Sequence, residues 1–153
     1  MLKIGFDIGG VISKYPNEFT EIIGAFHKDD HLIYVITDMH PKTKVLETLS
    51  ENGFIIKREL NDHLPGLIHP DRVYSADYEK YGNMAKAVII KELGIQIFVD
   101  AFEGYLCWDS RLGPQPILFK VQPDAFKPYW HNDWQTKDNV FGRRKFSVED
   151  ISR

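Results

Sequence analysis

Three apolar segments of this sequence each run into an aspartate, and this recurrence is what most constrains the fold. The segments are KIGFD (3–7), LIYVITD (32–38) and IQIFVD (95–100). Each is short and rich in Ile, Val and Phe, which favours a strand buried on both faces. Apolar residues at helical spacing occur between them, at 17–28, 42–52 and 83–93. This alternation predicts an α/β fold with a mostly parallel sheet and helices on both of its faces.

The remaining segments extend the same pattern. Further strands are predicted at 54–57, 72–76 and 116–121, and a loop at 61–70. Asn17 is the predicted N-cap of the first helix, while Gly53 and Gly94 are predicted to end the second and third. A chain of 153 residues without repeats or a linker is predicted to form a single domain, residues 1–153.

The net charge, the apolar segments and the cysteine count limit the partners and the compartment that are expected for this protein. The net charge of -3 gives no basis for a nucleic-acid or acidic-membrane partner, and the basic run at 142–145 is more simply a solvated turn. No segment approaches the roughly 18 apolar residues that a membrane helix needs. The single cysteine, Cys107, excludes an internal disulfide and fits a reducing compartment. We therefore expect a cytoplasmic protein with no membrane partner.

The acids at the strand ends form the candidate functional site. Because ligands of open α/β sheets bind beyond the carboxyl ends of the strands, Asp7, the Thr37–Asp38 pair and Asp100 are expected at one edge. Any one of them alone could be a turn or helix-cap residue. Converging carboxylates repel each other unless a cation lies between them, and Mg²⁺ prefers oxygen ligands. Lys86, in the first turn of the third helix, either completes such a site or is a solvated helix lysine.

The order of these motifs resembles the haloacid dehalogenase-like (HAD) phosphohydrolase superfamily. The matching motifs are FDIGGV with Asp7, VITD with Thr37, AKAVIIKELGI with Lys86 and IFVDAFEGYL with Asp100. The resemblance implies a three-layer Rossmann-like fold and a phosphatase whose nucleophile, Asp7, forms an aspartyl-phosphate. It also implies that Thr37, Asp38 and Lys86 contact the phosphorylated substrate. Mg²⁺ would bind the Asp7 carboxylate, the carbonyl of Gly9 and Asp100.

Two positions depart from the pattern of that superfamily. Gly9 stands where an aspartate usually acts as general acid and base, a function typically worth 10² to 10⁴ in rate. Ala101 stands where a second acid is common, and Glu103 is the candidate substitute, acting on the metal through water. A carbonyl is available from any residue, so glycine at position 9 retains a metal ligand. A phosphatase that is slow with poor leaving groups is therefore predicted.

The short intervals between motifs leave no room for a large cap domain. Capless members of the superfamily have open sites for large substrates, or sites that a neighbouring subunit closes. The aromatic tail with Phe126, Tyr129, Trp130 and Trp134 could form such a lid or a homo-oligomer interface. Packing of these aromatics against the sheet edge is an equally good interpretation. The substrate, beyond its phosphate group, is not identified by the sequence.

Two other hypotheses remain. The IGFDIGGV stretch also resembles the phosphate-binding motif of the sugar kinase and actin-like ATPases, although those proteins are about twice as long and continue into a β-hairpin. Alternatively, Gly9 and Ala101 mark a fold that has lost catalysis and serves as a binding module. Phosphatase activity is the preferred prediction.

Overall fold

The computed structural model describes residues 1–101 and 108–126. The chain divides into two units, Met1–Pro123 and Asp124–Arg153, and every element below belongs to the first. The single domain over residues 1–153 stays a prediction. The predictions for Glu103, Cys107, the basic run at 142–145 and the tail aromatics Tyr129, Trp130 and Trp134 fall outside the described residues.

The described strands and helices follow the predicted alternation. The strands are β1 (Lys3–Phe6), β2 (Leu32–Thr37), β3 (Ile55–Glu59), β4 (Asp62–Pro65), β5 (Val73–Ser75), β6 (Ile97–Asp100) and β7 (Ile117–Lys120). The α-helices are α1 (Pro16–Lys28), α2 (Lys42–Glu51), α3 (Tyr78–Tyr81) and α4 (Ala85–Leu93).

Five strands form the central sheet in the order β5-β2-β1-β6-β7, and every neighbouring pair is parallel. Counted along the chain, these are the third, second, first, fourth and fifth strands of that sheet. This order is compatible with a Rossmann-like doubly wound sheet, in which the direction of winding reverses beside the first strand. The predicted α/β class with a parallel sheet is confirmed, and the reversal lies between β1 and β6.

Helices cover both faces of the sheet, as the alternation of side chains along β2 shows. Ile33 and Val35 pack into a core that includes residues of α1 and α2, among them Phe19 and Val45. The intervening residues of β2 face the opposite way and pack with α4; this second core contains Tyr34, Ile36, Ala87, Ile90, Ile95 and Phe98. Because both faces of β2 are buried, this strand is apolar from Leu32 to Ile36 and becomes polar only at Thr37, where it ends.

Two local predictions were wrong. The predicted loop at 61–70 contains β4, which pairs antiparallel with β3 in a separate two-stranded sheet. The segment DHLP has little strand propensity, and its pairing with β3 decides its conformation. The first helix begins at Pro16, not after Asn17, because proline's fixed φ suits the first helical position.

Nothing the size of a domain is inserted between the predicted catalytic motifs. All residues from Asp7 to Lys86 are described, and between the sheet strands they form α1, α2, the β3–β4 hairpin and α3. No helix in the described ranges is long and apolar enough to cross a membrane.

Candidate active site

Asp7 follows β1 directly and is held from both sides by backbone groups. Its N–H donates to the carbonyl of Val99 at 3.0 Å, which continues the pairing of β1 with β6. Its side chain is buried, and its Oδ1 accepts from the N–H of Ile8 at 2.8 Å. These two hydrogen bonds fix the position of the carboxylate, so that Oδ2 is the oxygen that contacts Lys86.

The chain turns sharply after Asp7 through the two glycines. Gly9 (φ -63°, ψ 125°) and Gly10 (φ 72°, ψ -1°) have the angles of the central residues of a type II β-turn. Gly10 is required here, because its φ is positive and a Cβ would lie 2.5 Å from the Cβ of Ala101. The chain then continues into helix α1 and not into a β-hairpin, which argues against the actin-like alternative.

Ala101 consequently has a packing role that the sequence did not reveal. Its methyl group lies against the backbone of Gly10, at the place where the turn after β1 passes the end of β6. This contact restricts Gly10, because any residue with a Cβ at position 10 would clash with Ala101.

Lys86 connects the ends of β1 and β6. It lies in the first turn of α4, its side chain is 0% exposed, and its Nζ lies 2.9 Å from Oδ2 of Asp100 and 3.1 Å from Oδ2 of Asp7. The same ammonium lies 5.8 Å from the ring centroid of Phe98. The alternative of a solvated helix lysine is therefore wrong, and one cation contacts both buried carboxylates.

The site carries more negative than positive charge. Two buried carboxylates, Asp7 and Asp100, share the one ammonium of Lys86. Burial raises the pKa of Asp7 from 3.8 to about 6; the charge of Lys86 opposes this rise in pKa and that of Asp100 adds to it. The Asp7 carboxylate is therefore less stable in its charged form than an exposed aspartate, and a further cation would stabilise it.

Thr37 ends β2, the strand beside β1, and is also buried. Its Oγ1 accepts from the N–H of Met39 at 3.2 Å, so its own proton remains to be donated to another oxygen. Its carbonyl accepts from the N–H of Ala76 at 2.7 Å, which holds this strand end against the chain after β5. Asp38 follows and is partly buried. Its backbone carbonyl is hydrogen bonded to Nδ1 of His40 at 2.8 Å.

The structure thus brings the predicted residues to one edge of the sheet to different degrees. Asp7, Lys86 and Asp100 are in direct contact. Thr37 and Asp38 lie at the end of the neighbouring strand, and Gly9 lies exposed in the turn after Asp7. Glu103 lies outside the described residues. The site lies where the strand order reverses, which is the usual ligand position in such sheets.

The donor atoms fit Mg²⁺ better than a softer metal. Within residues 1–101 and 108–126, no group of three acidic, histidine or cysteine side chains forms a metal site by itself. Mg²⁺ commonly uses only one or two carboxylates and completes its shell with waters and substrate phosphate oxygens. The carboxylates of Asp7 and Asp100, with the carbonyl of Gly9, would meet that requirement, and the excess negative charge favours a cation.

Comparison with protein-family models, curated proteins and solved structures finds no match to this chain. Membership of the HAD superfamily accordingly stays a prediction.

Proposed function

We propose that the protein is a Mg²⁺-dependent phosphatase of the HAD type, which hydrolyses phosphomonoesters through an aspartyl-phosphate on Asp7. The observation that carries this proposal is the buried contact of Lys86 with Asp7 and Asp100 at the reversal point of a parallel sheet. A carboxylate beside a lysine and a metal-binding acid is suited to in-line phosphoryl transfer.

In the first step, Asp7 attacks phosphorus and the ester P–O bond breaks, the leaving oxygen keeping the electron pair. In the second, water attacks the same phosphorus, the bond to Asp7 breaks, and inorganic phosphate leaves. Lys86 neutralises charge on the phosphoryl oxygens, and the hydroxyl of Thr37 donates a hydrogen bond to one of them. Because hydrogen bonds and burial hold the attacking carboxylate, little reorganisation precedes the attack.

Mg²⁺, when bound by Asp7, Asp100 and the Gly9 carbonyl, would neutralise phosphoryl oxygens and bring the substrate to the nucleophile. Which leaving groups depart then depends on whether a side chain of this chain can protonate them. Gly9 supplies no proton, so the enzyme should prefer esters whose leaving group is a weak base, such as phenols and acyl groups.

A binding module is the second candidate function, favoured by the absence of an acid at Gly9 and Ala101. Both proposed functions would use the same anion-binding site, so a measurement of substrate turnover is needed to distinguish them. We also propose a cytoplasmic location, a phosphorylated substrate without nucleic acid, and self-association through the aromatic tail.

Asp7→Asn tests the proposal most directly. The amide is not a nucleophile, so we expect loss of turnover with p-nitrophenyl phosphate and of the beryllofluoride adduct. Asp71→Asn is the matched control, because Asp71 is an exposed acid in the short helix before β5 and should leave both readouts unchanged. Chemical denaturation of both variants verifies folding. Unchanged turnover in Asp7→Asn would assign the activity to another site. An inactive wild type that still binds phosphate analogues would support the binding module.

A further inference from the structure

Met39, the second residue after β2, is hydrogen bonded through both of its backbone groups. Its N–H donates to Oγ1 of Thr37 at 3.2 Å, and its carbonyl accepts from Oγ of Ser75 at 2.8 Å. Its side chain packs against the core, where its Sδ lies 3.7 Å from the hydroxyl oxygen of Thr48. The chain that follows Thr37 is therefore held in place at this residue.

Ser75 is brought to Met39 by the register of the central sheet. It ends β5, and its partner in the parallel ladder is Thr37 at the end of β2. The next residue, Ala76, donates its N–H to the carbonyl of Thr37 at 2.7 Å, which keeps the two strand ends together. Because β2 lies between β5 and β1, Ser75 is on the side of Thr37 that is remote from Asp7.

The hydrogen bond from Met39 limits the directions in which the Thr37 hydroxyl can donate. A threonine hydroxyl has one proton and two acceptor lone pairs, and its proton rotates to suit its surroundings. When one lone pair accepts the Met39 N–H, fewer orientations remain for the proton. The residue is only 1% exposed, so neighbouring atoms restrict its side chain as well.

We infer that Ser75 is a positioning residue, which acts through Met39 to orient the Thr37 hydroxyl toward the transferring phosphoryl group. This inference rests on the proposed phosphatase function and adds to it a residue that does not touch the substrate. Ser75 holds the Met39 carbonyl, and the Met39 N–H holds Oγ1 of Thr37. A donor that is oriented in advance needs no reorganisation when charge develops on the phosphoryl oxygens.

The substitution Ser75→Ala removes this support and leaves the strand pairing in place. The ladder between β5 and β2, and the hydrogen bond from Ala76 to Thr37, use backbone atoms alone. What is lost is one hydrogen bond between neutral groups, and the Met39 carbonyl is then free to move. We expect a loss of roughly three- to tenfold in any quantity that depends on the Thr37 hydroxyl.

The first test measures kcat/KM of the full chain with Mg²⁺ and p-nitrophenyl phosphate. Ser75→Ala should lower kcat/KM roughly three- to tenfold, and Ser75→Thr, which keeps a hydroxyl, should retain most of the activity. Ser50→Ala is the matched control, because Ser50 also donates to a carbonyl at 2.8 Å, that of Glu47, but does so within α2. It should leave kcat/KM unchanged. Chemical denaturation of each variant verifies folding.

A double-mutant cycle with Thr37→Val distinguishes positioning from a general structural role. Valine keeps the branched shape of threonine but has no hydroxyl, so Ser75→Ala should have almost no further effect on kcat/KM in the Thr37→Val background. A merely structural role of Ser75 would lower kcat/KM by the same factor in both backgrounds. That result, or a Ser75→Ala variant as active as Ser50→Ala, would overturn the inference.

Calorimetric binding of orthovanadate in the presence of Mg²⁺ is a second readout, which needs no turnover. Weaker vanadate binding in Ser75→Ala, without further weakening in the Thr37→Val background, would support the positioning role even in a protein that does not catalyse. Vanadate affinity that Ser75→Ala leaves unchanged would overturn this role while the phosphatase proposal stands on the turnover of the wild type. A wild type that neither turns over p-nitrophenyl phosphate nor binds vanadate would overturn both.

Discussion

Replacing Lys86 by methionine should destabilise the protein far more than an ordinary lysine substitution. Methionine approximates the length of the lysine stem and fills the same apolar path, so packing changes little. What is lost is the ammonium that contacts both Asp7 and Asp100 inside the protein. Removing one partner of a buried ion pair usually costs about 3–5 kcal/mol, because the remaining charge is left uncompensated. Two carboxylates are left here, so we expect the upper part of that range.

The loss of stability in Lys86→Met should depend on pH, and the pKa of Asp7 determines the direction of that dependence. Burial already raises the folded-state pKa of this carboxyl to about 6, and Lys86 is the group that opposes the rise, so removing Lys86 raises this pKa further. A carboxyl with a raised folded-state pKa disfavours folding at high pH; this penalty begins to shrink as pH falls below the folded-state pKa and is gone only below the ordinary value of 3.8. Lys86→Met should therefore be much less destabilised at pH 5 than at pH 8.

Urea denaturation followed by circular dichroism at several pH values measures this effect. Asp7→Asn combined with Lys86→Met should be more stable at pH 8 than Lys86→Met alone, since one uncompensated charge is gone. Lys28→Met, an exposed lysine, should change the free energy of unfolding by no more than about 0.5 kcal/mol.

A loss of stability that is the same at pH 5 and pH 8 would refute this reasoning. It would mean that Lys86 acts through its methylene packing and not through its charge. A double variant less stable than Lys86→Met would refute it as well, because the two carboxylates would then not be the source of the penalty.

Two further predictions concern the metal and the leaving group. The raised pKa of Asp7 means that protons compete with Mg²⁺ below pH 6, so the apparent Mg²⁺ affinity in titration calorimetry should fall about tenfold per pH unit there and level off above about pH 7. An affinity that does not vary between pH 5 and 7 would exclude Asp7 as a ligand. Gly9→Asp should raise turnover of alkyl phosphates at least about tenfold and flatten the dependence of rate on leaving-group pKa. Residue 9 has φ -63° and no atom within 4 Å of an added Cβ, so the new side chain fits without strain. Equal slopes in the two proteins would show that another group already donates the proton.

The sequence was sufficient to predict the parallel sheet and the edge at which Asp7 and Asp100 meet, since the signals for both are local. Apolar runs ending in Asp7 and Asp100, with helical patterns between them, determine a parallel sheet. The rule that ligands bind beyond the carboxyl ends of the strands then brings the acids together. The predicted strand ends differ from the observed ones by at most two residues, which does not affect this argument.

The burial of Lys86 was left open, although the sequence contained a signal for it. Lys86 lies four residues before Ile90, on the stripe of α4 that faces the sheet, whereas Lys91 lies on another side of the helix and donates to the carbonyl of Leu112. The position of each lysine around helix α4 therefore distinguishes the buried Lys86 from Lys91. Only knowledge that Asp100 ends the next strand, β6, and contacts Lys86 explains why a charged residue is tolerated in that stripe.

Other features depend on distant contacts and have no local signal. The close approach of Gly10 and Ala101 joins residues that are far apart in the sequence. Glycine at position 10 predicts a turn, but not which atom would clash with a side chain. The strand β4 is similar, because a segment with poor strand propensity became a strand by pairing with β3.

The energetics of the buried cluster of Asp7, Lys86 and Asp100 help to choose between an active enzyme and a binding module that has lost catalysis. A buried group of two acids and one lysine is a poor source of stability, since apolar residues of similar volume often stabilise a protein more. The raised pKa of Asp7 is a sign of this penalty. A binding module without need of a nucleophile would gain stability from an uncharged residue at position 7 that still accepts the hydrogen bond from the Ile8 N–H, as asparagine would. We therefore prefer the proposed enzyme to the binding module: chemistry at Asp7 would account for a costly carboxylate in contact with a lysine, and no atom lies within 4 Å of a Cβ added at the neighbouring Gly9.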